Sequence, residues 1–277
     1  MCPIATVNMS TNIKQPDITI FRGWKEFGKH VWSPYVVKLE ARLRFADVRY
    51  SVDVGSPKTA PKGKIPYVEC SNLPGTAEDA QGDTLQLSDS TLIIKTLTEV
   101  DVIPDINAEL SPVDRANDLA LRALLEDKLY FYHTWERWIL NYYTMRDHVF
   151  QALPYPVRIF VGMMVYRGTV ATLHGQGTGR YSAEEIAGFR LEIWDAVNSL
   201  LVDSKSKSVN DSSSQEPFWV LGRRQPTEAD ATLFGFIVSV LISTAGPDSK
   251  KVVRGFPAIL DYAQRIQVRY FQEYESW

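Results

Sequence analysis

The sequence predicts an α/β layer followed by an all-α half, α/β plus all-α within 277 residues. Three observations carry this. In the first hundred residues, short β-like runs alternate with helical stretches. From Ser111 onward strand alternation stops and helix starts recur. Between the two, residues 102–111 around Pro104 read as a short linker. A hydrophobic content of 45% is enough to bury a real core, which excludes disorder as the main state.

Residues 1–16 read as a flexible N-terminal tail; Lys14 is its one basic residue and no continuous apolar run follows, which argues against a secretory signal. The first domain is expected over 17–104. It begins with a strand at 18–21, a helix at 34–45 and a strand at 48–52. Strands at 65–69 and 85–87 and a helix at 91–99 complete it, giving β-α-β and then β-β-α. Pro74, Gly75 and Gly82 lie among polar residues between the last two strands and predict a hairpin with an enlarged loop.

The second domain is expected over 111–277. Ser111-Pro112-Val113-Asp114 places a hydroxyl at an N-cap, proline at N1 and a carboxylate at N3. Ser182 with Glu185, and Thr227 with Asp230, repeat that spacing and read as structural caps. Residues 231–245 are uncharged but too short to span a membrane, so they read as a buried core helix. Residues 203–216 contain one apolar residue and are expected to form a mobile loop between helices.

Lys and Arg total 30 against 33 Asp and Glu, so the chain offers no basic field for a phosphate backbone and no nucleic-acid partner is expected. Cys2 and Cys70 cannot build a disulfide framework, which fits a reducing, cytoplasmic setting with no membrane partner. The four histidines, His30, His133, His148 and His174, show no metal-ligand spacing, and no metal is expected. In Gly175-Gln176-Gly177-Thr178-Gly179 the third glycine comes too early for a dinucleotide loop, and no strand precedes it.

Three short motifs carry chemistry. Ser33-Pro34-Tyr35 opens a helix, so the Ser33 hydroxyl lies beside free backbone N–H groups at the positive end of a helix dipole, where a thiolate is favoured. A plain N-cap serine gives the same tripeptide. Gly63-Lys64-Ile65-Pro66 is a glycine turn feeding a strand; a cis Ile65-Pro66 bond is expected, turning the backbone groups of Ile65 outward to pair with an extended ligand. Ser88-Asp89-Ser90 follows a strand and opens a helix, where Ser90 offers a carboxylate site and Asp89 an ammonium site. A helix cap without ligand fits that motif equally.

In this order, and followed by a helical half, these elements resemble the glutathione S-transferase superfamily, with the match running from about Asp17 to the C-terminus. Phe218-Trp219-Val220-Leu221-Gly222, Pro226-Thr227-Glu228-Ala229-Asp230 and Phe256-Pro257-Ala258-Ile259-Leu260-Asp261-Tyr262 are similar to signatures of its C-terminal domain. Residues 33–40 and 174–185 are similar to the failed-axon-connections and metaxin-like branch, which includes fungal transferases of secondary metabolism. The resemblance implies a thioredoxin-like N-terminal domain, an all-helical C-terminal domain, glutathione as cofactor and a homodimer. It implies Ser33 as the catalytic residue at the sulfur and Lys64, Ile65, Pro66, Asp89 and Ser90 as glutathione-binding residues. The segment 23–32 is longer than the family pattern, so Trp24, Lys25, His30 and Tyr35 are alternative groups to activate the thiol.

A substrate cleft is expected between that site and the helix after Ser111. Tyr130, His133, Thr134, Arg137 and Asn141 share one helical face, a cleft wall or a solvated surface, while Phe131, Trp135, Trp138 and Tyr142 form another that reads as core. With Trp24 and Tyr35, the first face completes the expected cleft. The implied reaction is addition of glutathione thiolate to an electrophilic, apolar small molecule. It yields a conjugate or, if reversible, cis/trans isomerisation of a conjugated alkene. The alternatives are a non-catalytic metaxin-like scaffold or import subunit, disfavoured by the absence of an apolar tail at 274–277, and a ligand-binding protein without turnover.

Overall fold

The computed structural model describes residues 16–74, 84–208 and 216–277. The expected tail at 1–15 and the hairpin loop at 75–83 lie outside the described residues. Strand β1 (Asp17–Phe21) leads through residues 22–32 into helix α1 (Pro34–Phe45), followed by β2 (Ser51–Asp53), β3 (Tyr67–Ser71), β4 (Leu85–Ser88) and α2 (Ser90–Glu99). The strands form one sheet in the order β2-β1-β3-β4, with β1 and β2 parallel and the other pairs antiparallel. This is a thioredoxin-like layer, as the β-α-β, β-β-α reading requires. Ile18, Ile20, Val68 and Cys70 point from the sheet onto Leu39 and Leu43 of α1 and Ile93, Ile94 and Leu97 of α2.

Two strand boundaries move. The second strand starts at Ser51 rather than at Val48, because the Val48 N–H closes a turn onto the Leu43 carbonyl at 3.0 Å. The third starts at Tyr67, directly after Pro66, which has no N–H for the ladder.

The helical part begins with α3 (Pro112–Ala123), capped by Ser111, whose Oγ accepts from the Asp114 N–H at 3.1 Å. The helix continues through a π-helical segment, Leu124–Leu129, then α4 (Tyr130–Trp135) and a second π-helical segment, Glu136–Leu140. Next come α5 (Tyr142–Val149), α6 (Tyr155–Gln176), α7 (Ala183–Ser208), α8 (Glu228–Ile242), α9 (Pro247–Arg254) and α10 (Pro257–Tyr270). Ser182 and Glu185 cap α7 reciprocally. The buried Asp230 accepts from the Thr227 and Val220 N–H groups and from the Tyr262 hydroxyl, and burial pushes its carboxyl up to about 6.

The loop expected from residue 203 is corrected: α7 runs on to Ser208. Its polar residues are used rather than left to water, since Ser204 donates to the Val220 carbonyl, Lys205 pairs with Asp261 and Lys207 pairs with Asp203 one turn away. Residues 209–215 lie outside the described residues.

Helix α8 is the axle of the molecule, buried from Ala229 to Leu241. It packs along α1 so closely that a Cβ at Gly235 would run into the Pro34 carbonyl oxygen. Among the described residues no single helix is long and apolar enough to cross a membrane; α8 and α9 pass that test only together, bent by 117°. The two parts are also tied by buried ions, with Lys38 on Glu126 and Arg42 on Glu228.

Candidate active site

A cavity of about 550 Å³ opens between the thioredoxin-like layer and the helical part. On one side it is lined by Ser33, Pro34 and Tyr35, by Gly63, Lys64, Ile65 and Pro66, and by Asp89 and Ser90. Three loops at one end of the sheet supply these groups, so motifs 57 residues apart at their extremes form one wall.

Ser33 is the N-cap of α1. Its Oγ accepts from the Val36 N–H at 3.4 Å, which leaves the hydroxyl proton to donate into the cavity. The long segment before it does not displace it, because the Trp32 carbonyl is clamped by Arg137 at 3.1 Å and by the Ser239 hydroxyl at 2.6 Å. The same segment is pinned farther back. Arg22 donates to the carbonyls of Glu26 and Lys29, and the Gly28 carbonyl accepts from the Glu275 N–H. Trp32 also stacks on His148 of α5, with 3.5 Å between centroids and 11° between planes, and Trp24 packs on the same ring at 5.6 Å. Burial lowers the pKa of His148 to about 4, so the imidazole acts as a neutral aromatic slab.

The Ile65-Pro66 bond is cis, as expected. Asp89 caps α2, and its Oδ1 accepts from the N–H groups of Thr91 and Leu92 at 3.0 and 3.2 Å. Its backbone sits at φ 79°, ψ 119°, sparsely used by residues other than glycine. Such conformations cost about 1–3 kcal/mol and persist where their surroundings impose them. The carboxylate is exposed at the cavity edge, with Ser90 buried beside it.

The opposite wall comes from α4 and its flanking π-helical turns: Glu126, Asp127, Tyr130, Phe131, Thr134, Arg137 and Trp138, with Met145 of α5. Of the cleft residues expected from the sequence, Trp24, Tyr35, Tyr130, Thr134 and Arg137 line the cavity. His133 does not. It is buried on the far side of α4, with its ring on Trp194 at 5.9 Å and near Phe236, and desolvation keeps it neutral. Arg137 reaches the wall, but its guanidinium is committed to Trp32 and to the carbonyl and hydroxyl of Ser239, and burial lowers its pKa to about 10.

Phe131 and Trp138, read from the sequence as core, face the cavity instead. A strict 3.6-residue repeat does not hold through the wider π-helical turns between Leu124 and Leu140, so the stripe facing the cleft lies between the two faces that the repeat predicts. Trp32, Pro57, Glu126, Asp127 and Met145 were not expected at the cavity. Glu126 had one available signal, the buried Lys38 on α1, whose ammonium it receives at 2.6 Å together with the Thr91 hydroxyl at 2.8 Å.

Two of the alternative thiol-activating groups are removed by their placement. His30 is buried away from the cavity against Phe271 and Gln267, and burial lowers its pKa to about 4. Lys25 is exposed and is not among the lining residues. Tyr35 lines the cavity as a neutral phenol, its pKa raised strongly by burial and by the neighbouring Tyr130.

Residues 34–145 match the glutathione S-transferase N-terminal domain family. The isoprene-epoxide glutathione S-transferase of Rhodococcus sp. (strain AD45) is 25% identical over 261 residues, covering 91% of this chain and 99% of the relative. The chain is therefore similar to glutathione S-transferases, with the family match confined to residues 34–145. Among solved structures, glutathione transferase GSTFuA3 from Phanerochaete chrysosporium superposes with a TM-score of 0.56 at 15% identity, covering 96% of this chain and 99% of that one. A glutathione transferase family member from Pseudomonas fluorescens pf-5, with two glutathione bound, gives 0.50 at 12% identity, over 95% and 92% of the two chains. These superpositions cover the thioredoxin-like layer and the helical part and show the fold.

Proposed function

We propose that the protein is a glutathione transferase that adds glutathione to an electrophilic, apolar small molecule. The single observation that carries this is the shared wall. Ser33, the turn at Lys64-Ile65-Pro66 and the pair Asp89-Ser90 meet in one cavity, opposite a wall of aromatic rings. The parts suit a zwitterionic tripeptide. The Asp89 carboxylate receives an ammonium, and Ser90 at the α2 N-terminus receives the adjacent carboxylate. The Ile65 backbone pairs with the cysteinyl unit, and Lys64 attracts the glycyl carboxylate. The donor set fits the tripeptide because Asp89 keeps Oδ2 uncommitted among the described residues, and because the Ser33 hydroxyl has a proton to give.

Bound glutathione supplies the thiolate that adds to an electrophilic carbon, giving a conjugate or, where the addition reverses after bond rotation, a cis/trans isomer of a conjugated alkene. The chain's own part is to hold and orient. The Ser33 O–H and the N-terminus of α1 stabilise negative charge at the sulfur position. Trp24, Tyr35, Tyr130, Phe131 and Trp138 exclude water and hold an apolar partner against that position, while Thr134 adds one hydroxyl. Similarity to glutathione S-transferases over residues 34–145, and to the Rhodococcus relative over 91% of the chain, supports transferase chemistry.

Titration of the protein with glutathione by calorimetry, followed by mass spectrometry of incubations with an epoxide and with a conjugated enone, tests the reading. Glutathione binding with a mass increase of one glutathione on either electrophile is the expected result. An enone returned with altered geometry and unchanged mass assigns the isomerase branch. Absence of glutathione binding at millimolar concentration overturns the reading.

A further inference from the structure

Ordering a backbone costs conformational entropy at every residue, so a long segment without regular structure keeps one conformation only where outside contacts offset that cost. Residues 22–32 are such a segment, and they carry Trp24 and Trp32, two aromatic rings of the cavity wall. Its two ends are held differently. Trp32 is fixed from the helical part by Arg137 and Ser239. The stretch 22–30, which includes Trp24, is tied to residues 271–277, which follow α10 and line no part of the cavity.

The buried Gln267 of α10 joins the two. Its oxygen accepts from His30 Nε2 at 2.7 Å, and its nitrogen donates to the carbonyls of Phe271 and Tyr274 at 3.0 and 3.1 Å. His30 is boxed by rings, with centroids of Phe271, Tyr274 and Trp277 at 4.8, 5.0 and 6.3 Å. The Glu275 N–H donates to the Gly28 carbonyl at 3.0 Å, and the Glu275 carboxylate pairs with Lys29 at 2.9 Å. The Tyr274 hydroxyl donates to Glu40 at 3.1 Å, and Glu40 pairs with Arg22 at 3.3 Å. Arg22 in turn donates to the Glu26 and Lys29 carbonyls and so closes the turn that carries Trp24. On its other side this turn meets the glutathione wall, since a Cβ at Gly23 would come within 2.5 Å of Ile65 Cδ1. The contacts therefore run from Tyr274 and Glu275 to Trp24 without passing through Ser33.

We propose that residues 271–277 are a strap that positions Trp24 and thereby selects the second substrate. With the strap in place the cavity favours an electrophile broad enough to reach from Ser33 to the Trp24 ring; without it the preference for broad over small electrophiles is lost. This rests on the transferase reading. Because Ser33 follows the separately anchored Trp32, the Trp24 wall can shift without moving the groups that stabilise the thiolate. Loss of the strap therefore removes binding of the broad substrate, which raises KM, and leaves kcat in place.

Steady-state kinetics with a small epoxide and a broad aromatic enone test this. The variants are a chain ending at Tyr274, which keeps Phe271 and the Gln267 bridge but lacks the Glu275 contacts and Trp277; Glu275→Pro, which deletes the N–H to Gly28; and Trp24→Ala. The shortened chain is expected to raise KM for the enone roughly tenfold, with its kcat, the kcat/KM for the epoxide and the glutathione affinity each within about twofold of wild type. Glu275→Pro moves the same ratio in the same direction by less. Shortening a Trp24→Ala chain is expected to add nothing to the Trp24→Ala effect, because both act through one ring. General loosening of the fold would instead weaken both substrates together and add to Trp24→Ala, and that result overturns the proposal, as does an unchanged enone KM. Should thermal unfolding show the shortened chain unfolded, Glu275→Pro alone and combined with Trp24→Ala decides by the same criteria. A wild type that turns over neither electrophile overturns the transferase reading and the selectivity with it, whereas an active wild type whose variants keep its selectivity overturns the strap alone.

Discussion

Arg137 donates to the backbone carbonyl of Trp32 at 3.1 Å, so a side chain of the helical part fixes the residue directly before Ser33. The second guanidinium arm holds the Ser239 carbonyl and hydroxyl of α8, and the Ser239 hydroxyl also donates to Trp32. The long segment 22–32 thus ends on a rigid anchor rather than on its own conformational preference.

Replacing Arg137 with Met keeps most of the buried stem and removes that anchor. Hydrogen bonds to a charged group contribute about 1.5–3 kcal/mol, so urea unfolding of Arg137→Met is expected to show a loss of that order. Turnover should fall further than glutathione affinity, because Ser33 loses its placement while Asp89 and Ile65 do not. An unchanged unfolding midpoint would show that the Ser239 hydroxyl suffices to hold Trp32.

His30 predicts a pH dependence. The Gln267 side-chain nitrogen donates to the carbonyls of Phe271 and Tyr274, so its oxygen faces His30 and the imidazole proton sits on Nε2, leaving Nδ1 buried and bare. Burial lowers the folded pKa from 6.5 to about 4. Above 6.5 the ring is neutral in both states and its contribution is complete. Between 6.5 and 4 the unfolded chain binds the proton first, so stability is lost as pH falls. Asp230 and Glu40, both raised by burial, act in the opposite direction, and the contribution is therefore read as a difference. The stability of wild type minus that of His30→Gln is expected to decline by on the order of 2–3 kcal/mol from pH 6.5 to 4. A difference that stays flat would place the titrating groups elsewhere.

The binding half of the cavity was legible in the sequence because each part is local. A cap, a glycine-proline turn and a strand-to-helix junction each bring their chemistry within four residues, and the sheet order then sets them side by side. The substrate wall was legible only in part. Tyr130, Thr134 and Arg137 follow from helical spacing, but the π-helical turns on both sides of α4 turn Phe131 and Trp138 to the cleft and leave His133 in the core. The second of these turns is tied to distant elements, Glu136 to Arg190 of α7 and Arg137 to Ser239 of α8, contacts that no short-range pattern marks. Residues 203–208 failed for a related reason. Composition says loop, and tertiary partners for Ser204 and Lys205 on distant elements hold the helix.

Asp89 has two roles that substitution separates. Asp89→Asn keeps an oxygen to cap α2 and loses the charge, whereas Asp89→Ala loses both. Glutathione binding is expected to weaken by roughly 1.5–3 kcal/mol in Asp89→Asn, with stability nearly unchanged. In Asp89→Ala a further loss of about 0.5–2 kcal/mol in folding stability is expected from the cap. Calorimetry and thermal unfolding of both variants decide it, and wild-type affinity in Asp89→Asn would remove Asp89 from the ammonium site.

Ser33 is the group on which the chemistry turns. Its Oγ already accepts the Val36 N–H, so the hydroxyl can give its proton to a sulfur without loosening the α1 cap. Removing one such donor from an anion-stabilising site typically costs about 10²–10³ in rate, or about 2.7–4 kcal/mol. Ser33→Ala is therefore expected to lower kcat/KM on an enone by that factor while glutathione still binds through Asp89, Ser90 and Ile65. The thiol of bound glutathione, followed by its thiolate absorbance against pH, should ionise at higher pH in the variant. With His30 buried and Lys25 outside the lining, near-wild-type turnover in Ser33→Ala would assign activation to the backbone N–H groups of α1 rather than to the hydroxyl. Ser33→Thr then separates hydroxyl from backbone: it retains the donor at the cap, and recovery of both turnover and the lower thiol ionisation is the outcome that a hydroxyl-based mechanism requires.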